Sequence, residues 1–368
     1  MQTVVIKVGT TLLTGERGFD GQIVEGLVKE IATLKKERDL NVLIVSSGAI
    51  GCGMHTLKLT ERPKVLPLKQ ATAAIGQARL MHFYQVLFES YGNGLQTAQV
   101  LLTSSDLDDR QRYLNIRNTI HTLFSLKTVV PIVNENDSVA TDELRFGDND
   151  TLSARVASKI DADMLVILSD IDGLYDRNPS RHKDAKLIES VQLVDDSIEA
   201  LAEDTGVATS VGGMKTKLHA ARIACSSGLI TVIANGHTPG ILRSVFDGTA
   251  RCTRFGASSA VMPHRKRWIA FGRSTRGALD IDDGARNALL KQGRSLLAAG
   301  ITGVTGSFDM GASVRIRDGS GKDVACGLVN YSSGDIARIK GCKSSEIHAI
   351  LGRKDFDEVI HRDNLVLL

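Results

Sequence analysis

Two lysines stand where their charge could act on a phosphate group. Lys7 interrupts the apolar run Val4–Val8, which reads as a buried strand, and the glycine- and threonine-rich stretch "GTTLLTG" follows it. Because a buried ammonium without a partner is costly, Lys7 is expected to meet an anion at the end of this strand. Lys217 follows the glycines of "SVGGMKTKLHAA" at the predicted start of a helix, where backbone N–H groups also favour anions. The two lysines could converge on one phosphate; alternatively, Lys7 reaches solvent at a sheet edge and Lys217 lies on a solvated helix face.

A dense group of carboxylates and side-chain amides follows a second apolar strand, Val129–Val133, in the stretch "NENDSVATDELRFGDNDTLSA". So many acids beside a buried strand are unfavourable unless they bind something. The group suits a substrate that carries an ammonium, with the asparagines donating hydrogen bonds to its carboxylate. A helix N-cap around Asp148–Asp150 and ligation of a metal are the alternatives.

Two further loops of small or polar residues follow predicted strands. In "VSSGAIGCG", Ser47 and the backbone N–H groups of Gly48 and Ala49 could bind a carboxylate or a phosphate, or the small residues could simply form a tight turn. The stretch "SDIDGLYDRNP" begins with Ser169 and Asp170, which could contact a ribose or a magnesium-bound water in addition to forming a turn. Neither a Walker A pattern nor a GxGxxG after the first strand is present, so a phosphate site here would be of another kind.

Strand-like and helix-like stretches alternate over about the first 240 residues. The predicted strands are Val4–Val8, Val42–Val45, Gln99–Leu102, Val129–Val133, Met164–Leu168 and Ile230–Ala234; the clearest predicted helices are Leu68–Phe88, Arg110–Leu126, Leu152–Ile160 and Lys215–Ser226. This alternation predicts an α/β fold, with a mostly parallel sheet covered by helices on both faces. Ligands of such sheets bind at the carboxyl ends of the strands, which is where the polar stretches fall.

The pattern changes from about Asp247, where "DGTARCTRFGASSAVMPHRKRW" reads as a linker. The short apolar stretches "SVRIRDG", "DVACGLV" and "NLVLL" then predict a small, mostly-β domain. We therefore predict a first domain over residues 1–255, a linker over 256–274 and a second domain over 275–368. From His264 onward, 17 Lys and Arg stand against 12 Asp and Glu, which permits contact with nucleic acid without requiring it.

The composition is that of a soluble globular protein, with 42% hydrophobic and 24% charged residues and no apolar run long enough for a membrane span. The five cysteines never form a CxxC pair, which argues against a disulfide framework and against a structural zinc site. No secretory signal is recognisable at the N-terminus, and we expect a cytoplasmic protein.

Six stretches in register resemble the amino acid kinase family: "VIKVGTTLL", "IVSSGAI", "VPIVNENDSVAT", "FGDNDTLSA", "LSDIDGLY" and "GGMKTKLHAA". The tail from "GARNALLKQG" onward resembles a PUA domain, so the likeness covers nearly the whole chain. The resemblance implies an αβα sandwich that binds ATP and L-glutamate at the strand ends, followed by a small mostly-β domain. The implied reaction is transfer of the γ-phosphate of ATP, with Mg²⁺, to the side-chain carboxylate of L-glutamate, as the first step of proline biosynthesis.

The resemblance also assigns roles to residues. Lys7 and Lys217 match the lysines that contact the phosphate, and Asp150 matches the acid that orients them. The implied glutamate-binding residues are Ser47, Gly48, Ala49, Asn134, Asp137, Asp148 and Asn149. The implied ATP-binding residues are Lys7, Ser169, Asp170, Val211, Gly212, Gly213, Met214, Lys215, Thr216 and Lys217. No residue is assigned to a metal. Val211 stands where the family commonly has threonine, so the implied contact with ATP at this position is one through the backbone and not through the side chain.

Further partners follow from the resemblance alone: proline as a feedback inhibitor, a glutamyl phosphate reductase as a pathway partner, and a homodimer or homotetramer. Kinases of aspartate, acetylglutamate, carbamate and UMP are the alternatives within the family, and the acidic stretch favours free glutamate because it can hold an unblocked ammonium. An RNA-binding protein that acts through the PUA-like domain is the alternative from another class. It has little support, because Phe271, Phe308 and Tyr331 are too scattered to predict a stacking surface.

Overall fold

The computed structural model describes residues 2–15, 18–19, 21–140, 148–203, 213–256 and 275–368. The chain divides into two units, Met1–Val261 and Met262–Leu368. Except for residue 256, the predicted linker lies outside the described residues, as do Val211 and Gly212, so the boundaries at 255 and 275 stay predictions.

The first unit is built on a mostly parallel sheet. Its strands are β1 (Thr3–Val8), β2 (Thr14–Gly15), β3 (Gly18–Phe19), β4 (Asn41–Ser46), β5 (Gln96–Leu102), β6 (Val129–Glu135), β7 (Met164–Ser169), β8 (Ser190–Val191), β9 (Ile230–Asn235) and β10 (Cys252–Phe255). Among the described residues, eight of them form one sheet in the order β5-β6-β4-β1-β7-β9-β10-β8, and β2 pairs with β3 separately. Only β9 and β10 run antiparallel to each other within the large sheet, which agrees with the predicted α/β class.

Helices connect these strands and cover the sheet. They are α1 (Thr10–Leu13), α2 (Gly21–Arg38), α3 (Ala49–Leu57), α4 (Leu66–Tyr91), α5 (Ser104–Asp108), α6 (Arg110–Ser125), α7 (Asn149–Lys159), α8 (Asp196–Glu203), α9 (Met214–Ser226) and α10 (Ile241–Asp247). On one face, alternate residues of β1 such as Val4 and Ile6 pack in a core with apolar side chains of α2, α4 and α10. On the other face, α7 contacts β1 and β7, and α9 contacts β9. The two layers of helices complete the expected αβα sandwich.

The central strand β1 carries Lys7 into the interior. β1 lies between β4 and β7, and all six of its residues are buried. The alternative in which Lys7 reaches solvent at a sheet edge is therefore wrong, because this strand is not at an edge and Lys7 is 6% exposed.

Helices α3 and α4 touch backbone to backbone, which requires glycine at two positions. A Cβ on Gly53 would lie 1.9 Å from the carbonyl oxygen of Thr72, and a Cβ on Gly76 would lie 1.7 Å from that of Ala49. Such distances exclude any side chain at either position. The contact places the start of α3, immediately after β4, directly against the middle of α4.

The second unit has a separate sheet and a separate core. Its strands are β11 (Ala278–Ile281), β12 (Ile301–Thr305), β13 (Ser313–Arg317), β14 (Asp323–Leu328) and β15 (Leu365–Leu367); its helices are α11 (Asp283–Gln292), α12 (Ser333–Ile339) and α13 (Ile347–Leu351). The described strands form one sheet in the order β12-β11-β13-β14-β15. Side chains such as Leu279, Val314, Ile336 and Ile360 fill its core. The unit agrees with the predicted small, mostly-β domain.

Helix α7 begins earlier than the sequence pattern predicted. Leu152 is its first apolar residue, but the helix starts at Asn149 because the side chain of Asp148 accepts a hydrogen bond from the Thr151 N–H at 2.7 Å. The helix N-cap that the sequence suggested at Asp150, just before Leu152, is therefore Asp148 instead, and Asp150 lies within the first turn of the helix. The cap does not exclude binding roles for Asn149 and Asp150, which lie in the first turn of α7. None of the described helices is long and apolar enough to cross a membrane.

Candidate active site

A buried cluster of one carboxylate and two ammonium groups lies at the carboxyl end of β1. Asp150 Oδ1 is 2.6 Å from Lys7 Nζ, and Asp150 Oδ2 is 3.4 Å from Lys217 Nζ. Asp150 is fully buried, and each lysine is 6% exposed. Three charged side chains from β1, α7 and α9, far apart in the sequence, therefore meet at one point with one net positive charge.

The first turns of two helices bring Asp150 and Lys217 to β1. Asp150 is the second residue of α7, immediately after the stretch that the Asp148 cap fixes. Lys217 lies in the first turn of α9, which begins after Gly213. Thr216, its neighbour, donates a hydrogen bond from Oγ1 to Asp150 Oδ2 at 2.8 Å, so α9 approaches the carboxylate through two consecutive side chains.

The environment of Asp150 favours the charged form of its carboxyl group. Burial by itself would raise the pKa of Asp150, but the charges of Lys7 and Lys217 and the hydrogen bond from Thr216 outweigh burial and hold that pKa below its usual value. Burial lowers the pKa of Lys217, the charge of Asp150 opposes this effect, and the charge of Lys7 adds to it. The pKa of Asp148 is raised, chiefly by burial.

A group of serine hydroxyls and side-chain amides adjoins the charged cluster. Asn149 Nδ2 lies 2.9 Å from Ser47 Oγ, 3.0 Å from Asn134 Oδ1 and 3.2 Å from the Ser46 carbonyl oxygen. These residues come from the ends of β4 and β6 and from the start of α7. Because Asn149 precedes Asp150, the amide group and the charged cluster are continuous.

The loop after β4 is shaped by Gly48. Its φ of 98° lies in the left-handed region, where a side chain would be strained, and a Cβ there would lie 2.9 Å from the Leu13 side chain. Helix α3 starts directly after it at Ala49. The backbone N–H groups at the start of this helix have no intrahelical partners and can donate to an anion.

The remaining predicted site residues lie around the same end of the sheet. Asp137 is half-buried in the turn after β6. Ser169 ends β7, and its Oγ donates to Asp170 Oδ1 at 2.9 Å. Gly213 and Met214 are half-buried at the start of α9, whereas Lys215 is exposed. Since β6, β4, β1 and β7 are consecutive neighbours in the sheet, their carboxyl ends bring these residues together as expected.

The expectation that both asparagines donate to a substrate carboxylate does not fit the geometry of Asn149, while the second hydrogen of Asn134 Nδ2 leaves that part of the expectation a prediction. Asn134 Nδ2 donates to Gln77 Oε1 at 3.0 Å, and Asn149 Nδ2 faces three acceptors of the protein itself. Among the described residues, the donors that remain for a carboxylate include the Ser47 hydroxyl and the backbone N–H groups that follow it.

Two residues of α4 that the sequence analysis did not consider support the amide group. Gln77 is buried against Asn134, and the hydroxyl of Tyr84 lies 3.0 Å from Ser46 Oγ. They are seven residues apart and so lie on one face of the helix, together with the core residue Leu80. A glutamine at a position where helical periodicity places core residues is a sequence signal that could have identified Gln77.

Among the residues that the structure describes, no group of three or more His, Cys, Asp or Glu side chains is placed to hold a metal ion. Both oxygens of Asp150 face lysine or threonine side chains of the protein. A magnesium ion that acts here would fit best as part of a nucleotide complex, held mainly by phosphate oxygens and water.

Comparison with known proteins shows which families the two units match. Residues 2–235 match the model of the amino acid kinase family, and residues 277–351 match that of the PUA domain. The chain belongs to the amino acid kinase family. A family member from Caldanaerobacter subterraneus subsp. tengcongensis, named glutamate 5-kinase, is 48% identical over 99% of this chain and 97% of its own length. A glutamate 5-kinase from Syntrophus aciditrophicus is 46% identical over 100% of this chain and 94% of its own.

A solved structure supports the fold of this amino acid kinase. The carbamate kinase from Giardia lamblia bound to AMP-PNP matches 69% of this chain and 98% of its own, with a TM-score of 0.51 and 17% identity. At that identity the likeness bears on the fold alone. It agrees with the mostly parallel sheet between two layers of helices described above.

Proposed function

We propose that this chain catalyses the reaction that the name of its relatives describes, the ATP-dependent phosphorylation of the side-chain carboxylate of L-glutamate. The relatives match this chain from end to end, so the proposal does not rest on a shared domain alone. The observation that carries the chemistry is the buried cluster of Lys7, Asp150 and Lys217 beside the amide group. The product, L-glutamyl 5-phosphate, is the first intermediate of proline biosynthesis.

The proposed catalytic task is to bring two anions together. A glutamate carboxylate, with an ordinary pKa of about 4.3, is already ionised at neutral pH and needs no general base. What opposes the reaction is repulsion between this carboxylate and the phosphates of ATP. Lys7 and Lys217 supply two positive charges at the point of transfer, where negative charge spreads over the phosphoryl oxygens.

Asp150 has a positioning role in this proposal. Its carboxylate lies between the two ammonium groups and is itself fixed by Thr216. A preorganised pair of ammonium groups does not have to reorient as the phosphoryl group moves, which is the source of the rate gain in such sites. One carboxylate offsets only one of the two positive charges of the cluster, although the carboxylates of Asp148 and Asp170 also act on Lys7 and Lys217 respectively.

ATP is proposed to enter as its magnesium complex, with the ion held by phosphate oxygens and water. When bound, Mg²⁺ neutralises part of the phosphate charge. The backbone at the start of α9 and the residues Ser169 and Asp170 at the end of β7 are the proposed contacts for the nucleotide. Ser47, with the N–H groups of Gly48 and Ala49, is proposed to bind a carboxylate of glutamate.

The test is the substrate specificity of the purified protein. We expect consumption of MgATP with L-glutamate, and a hydroxamate when hydroxylamine is present to trap the acyl phosphate. L-aspartate, N-acetyl-L-glutamate, carbamate and UMP are the comparison substrates. N-acetyl-L-glutamate, carbamate and UMP should each react at less than about 1% of the rate with L-glutamate, because they lack the free ammonium that the acidic and amide groups fit. L-aspartate has this ammonium but is one methylene shorter, so we expect its rate to be lower by about 10-fold to 200-fold. Hydroxamate formation with another acid but not with L-glutamate would contradict the proposal.

The other predicted partners stay predictions. Inhibition by proline, a glutamyl phosphate reductase as partner and a dimeric or tetrameric assembly follow from the resemblance only. RNA binding by the second unit is supported by its match to the PUA domain alone. Phe308 and Tyr331 are buried and offer no stacking surface, and Arg286, Arg317 and Arg353 each pair with an aspartate.

A further inference from the structure

The polarity of the two side-chain amides beside the charged cluster is fixed by the main chain at two points. The N–H of Glu135 donates to Asn134 Oδ1 at 2.9 Å, so this atom must be the oxygen. The carbonyl oxygen of Ser46 lies 3.2 Å from Asn149 Nδ2, so that atom must be the nitrogen. The 3.0 Å hydrogen bond between Asn149 Nδ2 and Asn134 Oδ1 joins the two fixed ends.

Gln77 completes this chain of hydrogen bonds from the side of α4. With its oxygen committed to Glu135 and Asn149, Asn134 must direct Nδ2 elsewhere, and Gln77 Oε1 accepts from it at 3.0 Å. Both residues are buried, at 9% and 3% exposure. Without an acceptor at this position, Asn134 would hold a buried donor with no partner, and rotation of its amide would relieve this.

The same chain of hydrogen bonds determines which atom Asn149 can offer to a ligand. Its two Nδ2 hydrogens face three protein acceptors, Ser47 Oγ, Asn134 Oδ1 and the Ser46 carbonyl. Among the described residues none donates to Asn149 Oδ1, and the residue is partly exposed. Asn149 is therefore arranged to accept a hydrogen bond from a bound molecule and not to donate one.

We infer that Gln77 is a positioning residue for substrate specificity: by accepting a hydrogen bond from Asn134, it adds to the two main-chain hydrogen bonds that make Asn149 present a carbonyl oxygen, which selects a substrate that carries an ammonium. The inference rests on the proposed function, and it names the group of glutamate that this part of the site recognises. A rotated Asn149 amide would turn two N–H donors towards the same ammonium and repel it. Gln77 acts only through Asn134 and Asn149 and contacts no substrate.

The first measurement compares two substrates of the unaltered enzyme. Glutarate has the two carboxylates of glutamate but no amino group, and its acyl phosphate is trapped by hydroxylamine in the same way. We expect kcat/KM for glutarate to be lower than for L-glutamate by about 100-fold or more, because the acceptor is then left without a partner. Reaction of glutarate within about threefold of L-glutamate would overturn the inference and leave the proposed kinase activity intact. Reaction of neither substrate would overturn the proposed function itself.

The second measurement repeats the comparison in variants. Gln77→Met keeps the side-chain length and removes the acceptor, and Gln77→Ala removes it without adding bulk in case the methionine variant does not fold. We expect KM for L-glutamate to rise about tenfold and the preference over glutarate to fall by a similar factor, with KM for MgATP and kcat within about twofold. Gln77→Glu retains an acceptor and should restore the preference to within about twofold of the unaltered enzyme.

The matched control is Gln85→Met, on the same helix. Gln85 is exposed and bonds only the surface residue Glu89 among the described residues, so all its kinetic constants should be unchanged. A purely structural Gln77 would lower the melting temperature of Gln77→Met and Gln77→Ala without changing the ratio of glutamate to glutarate. That result would overturn the inference.

Discussion

At the scale of single residues, Asp150 determines where both candidate catalytic ammonium groups lie. It contacts Lys7 at 2.6 Å and Lys217 at 3.4 Å, in a site from which solvent is excluded. In such surroundings each charge acts strongly on the others. Burial lowers the pKa of Lys217, and the negative charge of Asp150 partly opposes this effect.

Replacing Asp150 should therefore change the pH dependence of catalysis. Because Lys217 must be protonated to stabilise the phosphoryl group, kcat should fall as the pH rises through the pKa of Lys217, which lies below that of an exposed lysine. Asp150→Asn removes the charge that raises this pKa, so the fall in kcat should move to lower pH. Profiles of kcat from pH 6 to 10 measure the shift.

The control for this pH profile is Asp247→Asn. It removes an exposed aspartate that pairs with Arg38 and that is not part of the candidate active site. Its profile should match that of the unaltered enzyme. An Asp150→Asn profile that keeps the same alkaline limb would show that Lys217 is not the group that titrates.

How far single residues were predictable depends on where they lie. Lys7, Asp150 and Lys217 each follow or interrupt a recognisable strand or helix start, so pattern and resemblance together indicated them. Gln77 and Tyr84 lie within a long helix, where the helical periodicity indicates a buried face but does not indicate which polar groups they meet there. Their partners, Asn134 and Ser46, are distant in the sequence, and only the folded chain brings them together.

At the scale of elements, helix α4 packs against the residues that form the proposed glutamate site. Gly76 allows it to touch the start of α3, and Gln77 and Tyr84 reach the ends of β6 and β4. The loop that carries Gly48 and Ala49 is thus held between β4 and α4. A change in the spacing of α3 and α4 must move this loop.

Replacement of Gly76 tests this contact. In Gly76→Ala the new methyl group would lie 1.7 Å from the Ala49 carbonyl oxygen, so the helices must separate. We expect the free energy of unfolding to fall by about 3 kcal/mol and KM for L-glutamate to rise, because overpacking shifts the backbone. Urea denaturation and steady-state kinetics measure the two effects.

Gly26→Ala is the matched control, since Gly26 lies in helix α2 and a Cβ there meets nothing within 4 Å. It should raise the free energy of unfolding by about 0.5–1 kcal/mol, the ordinary gain of alanine over glycine in a helix. Equal stability of the two variants would contradict the close contact between α3 and α4.

The sequence predicted most elements, and the misses have physical causes. The alternation of apolar strands and amphipathic helices was sufficient to predict a mostly parallel sheet, but not the order of its strands or the short strands β8 and β10. The start of α7 was placed three residues late, because an Asp-Asn-Asp stretch suits a loop as well as a first turn. The hydrogen bond from Thr151 to Asp148 decides between them.

At the scale of the whole molecule, the candidate catalytic residues all belong to the first unit. Each unit has a core of its own, and the second contains none of the side chains proposed for phosphoryl transfer. The two-domain organisation was predictable because both units have distinct patterns of apolar residues. The boundary was not testable, since most of the predicted linker lies outside the described residues.

The central claim is that two buried lysines stabilise the phosphoryl group in transfer to L-glutamate. Its most direct test is the steady-state kinetics of Lys217→Met, which removes the charge and keeps much of the side-chain volume. The matched control is Lys159→Met, another buried lysine of this unit, whose ammonium stacks 4.4 Å from the Tyr113 ring. We predict that kcat falls about 1,000-fold in Lys217→Met, with KM for L-glutamate within about threefold, and that Lys159→Met retains its kcat. A folded Lys217→Met enzyme with the kcat of the unaltered chain would contradict the account.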